Sequence, residues 1–232
     1  MTAALPLLVT RADPGGAATV ARARAMGLDA RHLPLFAARA LGWTVPDPDD
    51  FDALLVTSAQ AMRLAGPGLA RLAALPVHAV GAPSAAAATA AGLHVAVTGD
   101  SDGQTLIDAM PSRGARRVLW LCGRDHSPLV AGATVLTPLP CYAVDPVDPP
   151  SEWAALIERP AVLLAYSGRA AARIAALTGG ARDHLALVAI SESVAARAGR
   201  GWRAVSLAAR PDDAAMLAEA HALCHKGAHR VV

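Results

Sequence analysis

Lysine is almost missing from this chain of 232 residues: among its 21 lysines and arginines, Lys226 is the single lysine. That argues against a Schiff-base enzyme, which needs a reactive lysine amine in its core. Cysteine is scarce and odd in number; Cys122, Cys141 and Cys224 are widely spaced and form no CxxC pair. No disulfide framework follows, and the usage suits a reducing cytoplasm. Charge of one sign is lacking too, since the formal net charge is only +2 at pH 7. A broad basic face for nucleic acid is therefore not expected, although a local cluster of donors can still hold an anionic small molecule. There is no unbroken run of about 18 apolar residues, so no membrane span is predicted. The opening "MTAALPLLVTRADPGG" has too short an apolar run for a signal-peptide core and no charged region before it. These absences predict a soluble, cytoplasmic protein. No GxGxxG or P-loop is present, which weighs against a nucleotide- or sugar-handling enzyme of the doubly wound type.

What is present is apolar and repetitive. A hydrophobic content of 54% is ample for one large or two small cores and too high for a disordered chain. The stretch "FDALLVTSAQAMRLAG" runs an apolar strand into Thr57-Ser58 and then a helix start. "RPAVLLAYSGRAAARIAAL" does the same at Tyr166-Ser167, and Ser58 and Ser167 lie 109 residues apart. The next units, "LPVHAVGAPSAAAATAAG" and "LALVAISESVAARAG", place Gly81 and Ser191 at a separation of 110. Leu106 and Leu217, in the units after those, are 111 apart. Three registers this close indicate an internal duplication. A looser fourth match pairs "LPLLVTRADPGG" with "RRVLWLCGRDHSP", making Arg11 and Arg124 counterparts. In the first copy Asp13 is the expected N-cap of the following helix, Pro14 its first residue and Gly27 its stop.

Short apolar runs alternating with helices predict a parallel α/β sheet covered on both faces. Ligands of such sheets bind beyond the carboxyl ends of the strands, where the hydroxyl, glycine and arginine positions all fall. Because the strand before Arg11 comes first and its counterpart comes after the middle set, residues 1–31 must return to join 151–232. Residues 40–136 then form an inserted domain. The crossings are 32–39 and 137–150, both proline-bearing and therefore extended. Side by side they would make a hinge, with two strand-end rims facing a shared cleft.

The set "LLVTRADPGG", "FDALLVTSAQAMR", "VHAVGAPSAAAATAAG", "VLWLCGRDH", "PLPCYAV" and "AARPDD" resembles the uroporphyrinogen-III synthase family over residues 7–220. The resemblance implies two flavodoxin-like parallel-sheet domains joined by a two-stranded linker. It implies a lyase that closes the linear tetrapyrrole hydroxymethylbilane, with loss of water and inversion of ring D. It also implies no metal or organic cofactor, a monomer, and a transient partner in hydroxymethylbilane synthase. Tyr142 matches the linker tyrosine of the family and is the expected proton donor. The substrate's acetates and propionates suit helix N-termini, which offer free N–H groups and a favourable dipole. Thr57, Ser58, Gly81, Ser84, Gly123, Tyr166, Ser167, Ser191 and Ser193 are the expected contacts, with Arg11 or Arg124 as a bidentate clamp. The bland reading of the serines is that each only caps its helix, a role worth roughly 1 kcal/mol. Where the family often has Gly-x-x-Thr in both halves, this chain has Gly81-Ala-Pro-Ser84 and Ser191-Glu-Ser-Val194. Tyr166 stands where the family commonly has threonine or serine.

Other patterns are weaker. His221, His225 and His229 are spaced four apart, but Gly227 argues for a solvated tail rather than a metal site. "GDSDG" (99–103) lacks the downstream glutamate of a calcium loop and reads as a helix-starting turn. Cys122 and His126 are close in sequence, yet a buried strand-end cysteine is the simpler reading. The rival from another class is a non-catalytic two-domain binding protein for an anionic small molecule, which would use the same rims without needing Tyr142.

Overall fold

The computed structural model describes residues 4–180 and 182–226. Numbered along the chain, β1 (Leu7–Val9), α1 (Gly15–Ala25) and β2 (Ala30–His32) come first, followed by β3 (Phe36–Ala40). Next come β4 (Ala53–Val56), α2 (Ala59–Leu64), β5 (Val77–Val80), α3 (Ala82–Ala90), β6 (Val95–Gly99) and α4 (Gly103–Ala109). Then follow β7 (Arg117–Gly123), β8 (Val135–Pro146), α5 (Trp153–Ile157), β9 (Val162–Ala165) and α6 (Gly168–Thr178). The chain closes with β10 (Ala186–Ala189), α7 (Glu192–Ala198), β11 (Ala204–Leu207) and α8 (Asp213–Lys226). It divides into two compact units, a terminal one of residues 1–37 with 146–232 and an inserted one of residues 38–145.

The terminal unit is built on a five-stranded sheet in the order β11-β10-β9-β1-β2, with all four pairings parallel. β1 lies between β2 and β9, so this sheet needs both ends of the chain. Alternate residues of each strand enter opposite layers, as the strand period of two requires. Leu7, Val9, Val162 and Leu164 pack with Val20 of α1 and Met216, Leu217 and Ala220 of α8. Leu8, Leu163 and Leu187 face Ala171 and Ile174 of α6 and Val194 of α7. Leu7, Leu8 and Leu163 are fully buried, each stabilising the unit by about 2 kcal/mol through removal of apolar surface from water.

The inserted unit carries the six-stranded sheet β3-β8-β7-β4-β5-β6. Leu54, Val56, Leu119 and Leu121 pack against α2 and α3 through Ala61, Met62 and Ala88. Leu55, Trp120 and Cys122 face Leu106 and Ile107 of α4. Within it, β8-β7-β4-β5-β6 has the same order as β2-β1-β9-β10-β11 in the terminal unit. Strand for strand, β7 corresponds to β1 and β4 to β9, so the duplicated halves share one topology but start at different points. This is the doubly wound order in which ligands sit beyond the strand ends. The fold class is thus the one the alternating pattern predicts.

Local signals need one adjustment. α1 begins at Gly15 with Pro14 at its cap position, rather than at Pro14 behind Asp13. Asp13 still serves the first turn, because its carboxylate accepts from the Ala17 N–H at 2.9 Å. Gly27, Gly92 and Gly199 follow α1, α3 and α7 with φ of 81°, 79° and 70°, where only glycine is unstrained.

Candidate active site

In the inserted unit three of the predicted residues, Ser58, Gly123 and Arg124, lie beside Tyr142. β7 and β8 run parallel, and their register shifts between Cys122 and Gly123, leaving Gly123 opposite Tyr142. The Tyr142 ring lies against Gly123, and its carbonyl accepts from the Arg124 N–H at 2.8 Å. The Ser58 hydroxyl, at the start of α2, is near enough to the phenol to act on its acidity. Burial pushes the Tyr142 pKa up, and the Ser58 hydroxyl opposes that only in part. The group therefore stays protonated at neutral pH. Next to Ser58, Thr57 Oγ1 accepts from the Trp120 indole at 3.0 Å.

Gly81 and Ser84 open α3. Gly81 is the cap residue, with φ of 81°, and Ser84 is buried. Arg124 is less available than its position suggests. Its fork bonds Asp125 at 2.9 and 3.2 Å and Asp145 at 2.6 Å, and Asp145 is also held by Arg39 at 2.6 Å. Both carboxylates raise the Arg124 pKa above its ordinary value, so the charge is permanent but already matched.

The serines are caps, and this decides how they can act. Ser58 accepts from Gln60 N–H at 3.2 Å, Ser167 from Ala170 N–H at 3.1 Å, and Ser191 from Val194 N–H at 3.4 Å. Accepting uses a lone pair, so each hydroxyl keeps a proton to donate. At Ser191 the neighbouring hydroxyl of Ser193 lies 3.0 Å away. The departure from Gly-x-x-Thr therefore still leaves two hydroxyls at the start of α7.

The terminal unit holds a second cluster. The Arg11 guanidinium stands 4.4 Å above the Tyr166 ring centroid. Asp213, the first residue of α8, accepts from the Tyr166 hydroxyl at 2.5 Å and the Thr19 hydroxyl at 2.7 Å. Its other oxygen accepts from Arg22 Nε at 2.8 Å. Burial raises the Asp213 pKa, but the bonds from Tyr166, Thr19 and Arg22 outweigh it and hold the carboxyl below its usual range. Burial, with Asp213 next, drives the Tyr166 pKa well upward. Asp213, Thr19 and Arg22 were absent from the sequence-derived site. The motif "AARPDD" contains Asp213, yet its partners are 47 to 202 residues away and nothing local links them.

Three side patterns can be placed. Cys122 is buried in β7 with its thiol pushed up to about 11 by burial, while His126 Nδ1 pairs with the Gly123 carbonyl at 2.9 Å. No Cys–His pair exists there. Asp102 caps α4 by accepting from Thr105 N–H at 2.8 Å, so "GDSDG" is the helix-starting turn. The His221 and His225 rings are 4.3 Å apart, His229 lies outside the described residues, and among the described residues no metal-binding cluster occurs.

A family model described as Uroporphyrinogen-III synthase HemD matches residues 17–218. Among solved structures, the chain is similar to uroporphyrinogen-III synthetase from Helicobacter pylori, at TM-score 0.68 and 18% identity, covering 95% of this chain and 99% of that one. It is also similar to a mutant uroporphyrinogen III synthase from the extremely thermophilic bacterium Thermus thermophilus, at TM-score 0.53 and 18% identity, covering 97% and 100%. No curated protein matches. At such identity the solved structures speak for the fold.

Proposed function

This chain belongs to the uroporphyrinogen-III synthase family and makes uroporphyrinogen III in tetrapyrrole biosynthesis, and we propose that it does so as a cyclising hydro-lyase with Tyr142 as proton donor. The observation that carries this assignment is the contrast between the two tyrosines. The Tyr166 proton is committed to the Asp213 carboxylate at 2.5 Å, whereas among the described residues no carboxylate holds the Tyr142 phenol, which has the Ser58 hydroxyl near it.

Tyr142 protonates the leaving hydroxyl on ring A of hydroxymethylbilane, water departs, and an azafulvene is left. The substituted carbon of ring D attacks it to give a spiro intermediate, which fragments and recloses with ring D inverted. A placed general acid contributes typically 10²- to 10⁴-fold. Holding a flexible tetrapyrrole in one conformation supplies much of the rest.

The acetates and propionates are assigned to the strand-end rims. In the inserted unit Thr57, Ser58, Gly81, Ser84, Gly123 and Arg124 form this set. In the terminal unit it is Arg11, Tyr166, Ser167, Ser191 and Ser193. Of the four helices that follow Thr57, Gly81, Tyr166 and Ser191, α3 and α6 are long enough for their N-termini to favour an anion, with 9 and 11 residues. Arg11 is the better carboxylate clamp, because two aspartates already occupy the Arg124 fork. The enzyme is taken to act as a cytoplasmic monomer that meets hydroxymethylbilane synthase transiently. Its three cysteines, all free and buried, suit that compartment. Among the described residues no helix is long and apolar enough to cross a membrane.

The test is to give purified protein fresh hydroxymethylbilane, oxidise the products and separate the porphyrin isomers. Isomer I forms without enzyme, so isomer III is the expected product, and Tyr142→Phe should largely abolish it. Isomer I alone from folded protein rejects the function. Full activity in Tyr142→Phe rejects the donor.

A further inference from the structure

Asp213 has no part in the proton transfer, yet it is the most heavily engaged carboxylate of the terminal unit's rim. One oxygen accepts from Tyr166 at 2.5 Å, Thr19 at 2.7 Å and Arg11 Nη1 at 3.4 Å. The other accepts from Arg22 Nε at 2.8 Å and pairs with Arg22 Nη2 at 2.7 Å. These donors come from α1, from the segment after β1 and from the end of β9, so one carboxylate ties three chain segments to α8. Its side chain is 18% exposed, which keeps solvent from competing effectively for these bonds.

The consequence falls on Arg11. Its Nη1 edge is turned inward to Asp213 and Thr19, and its plane rests over the Tyr166 ring at 4.4 Å. The opposite edge, Nε and Nη2, crosses the bare Cα of Gly15, where a Cβ would stand 2.8 Å from both nitrogens. We propose that Asp213 is the positioning residue for substrate in this unit: it locks Tyr166 beneath Arg11 and directs the remaining guanidinium edge toward a substrate carboxylate. This rests on the assignment of Arg11 as a carboxylate clamp. It also gives Tyr166 a reason to replace a smaller hydroxyl residue, since a ring supports the guanidinium plane and a serine would not.

The test uses Asp213→Asn and Tyr166→Phe in the full chain, measuring isomer III formation against hydroxymethylbilane concentration. Loss of a charged anchor should raise KM about tenfold in Asp213→Asn with kcat within about threefold, the signature of lost substrate binding. Tyr166→Phe keeps the ring under Arg11 and should raise KM less, about threefold. A second readout is independent of turnover. In a Tyr142→Phe background Tyr166 is the only tyrosine, and ultraviolet titration reads its phenol alone. Removing the Asp213 charge should move that ionisation to lower pH, while Arg11, Arg22 and Thr19 remain in place around it. A fall in kcat at constant KM, or wild-type KM in both variants, overturns the positioning role while leaving the synthase function intact. An unmoved Tyr166 titration overturns the lock. Isomer I alone from wild-type protein removes the function and this role together.

Discussion

Tyr142 and Gly123 are in such close apposition that a Cβ on residue 123 would stand 2.8 Å from Tyr142 Cζ and 3.0 Å from its hydroxyl oxygen. Contacting carbons normally rest at about 3.5–4.0 Å, so glycine is what lets the ring lie across the end of β7. The register shift in the β7–β8 pairing creates this crossing.

Gly123→Ala should therefore displace the phenol without unfolding the unit, because the strand end can yield where its centre cannot. Isomer III formation should drop in kcat by about tenfold or more, approaching the loss in Tyr142→Phe, which we expect at about a hundredfold. Wild-type kcat in Gly123→Ala would show that the apposition is incidental.

Gly15 and Gly16 are adjacent but should respond oppositely. A Cβ at residue 16 would overlap the Arg11 carbonyl oxygen and His32 Nε2, and backbone cannot move aside cheaply. Gly16→Ala should cost about 2 kcal/mol or more in a urea unfolding experiment. At Gly15 the neighbour is the flexible tip of Arg11, so Gly15→Ala should leave stability nearly unchanged and raise KM instead. The reverse ranking in stability would contradict the packing around these two glycines.

Asp52 supplies a pH signature. Its carboxylate accepts from the Arg117 and Arg116 N–H groups at 2.8 and 2.9 Å and from the Arg117 guanidinium at 2.8 Å. These bonds, the Arg117 backbone first, lower its pKa from 3.8 to about 2. A depressed folded-state pKa contributes stability that is fully present above the unfolded value and lost as pH falls through the folded one. The stability gap between wild type and Asp52→Asn should be constant above about pH 5 and shrink between about pH 4 and 2. A gap that stays the same throughout would mean the bonds do not favour the ionised carboxylate.

The cysteines should be inert in the native state. Burial pushes the Cys122 and Cys224 thiols up to about 11 and Cys141 to about 12, and thiolate is the reactive form. Mass spectrometry after brief iodoacetamide treatment at neutral pH should find all three unmodified until denaturant is added. Rapid native labelling of Cys122 would reopen a nucleophilic role for it.

Much of this molecule was legible before folding because its signals are local and periodic. Continuous apolar runs become strands buried on both faces, as at Ala53–Val56 and Val162–Ala165. A serine after such a run becomes a cap, since its short side chain reaches the next turn's N–H, as at Ser58 and Ser167. The 109- to 111-residue spacing exposed the duplication because copies of one sheet topology repeat the same order of short signals. Even the Arg11–Arg124 match, the loosest, corresponds to the equivalent strands β1 and β7.

The pairing of charges was decided only by tertiary structure. Whether an arginine is free to clamp a ligand depends on which carboxylate the fold brings to it. For Arg124 that is Asp145, 21 residues away on the neighbouring strand, and for Arg11 it is Asp213, 202 residues away. The difference between Tyr142 and Tyr166 as acids is likewise invisible in one dimension. It comes from whether the chain delivers a hydroxyl or a carboxylate to each phenol, a choice made by strand register and by the return of the last helix. Composition and period determined the layers, because burying apolar surface is a property of each segment; the chemistry at the rim is a property of pairs, and only the folded chain makes them.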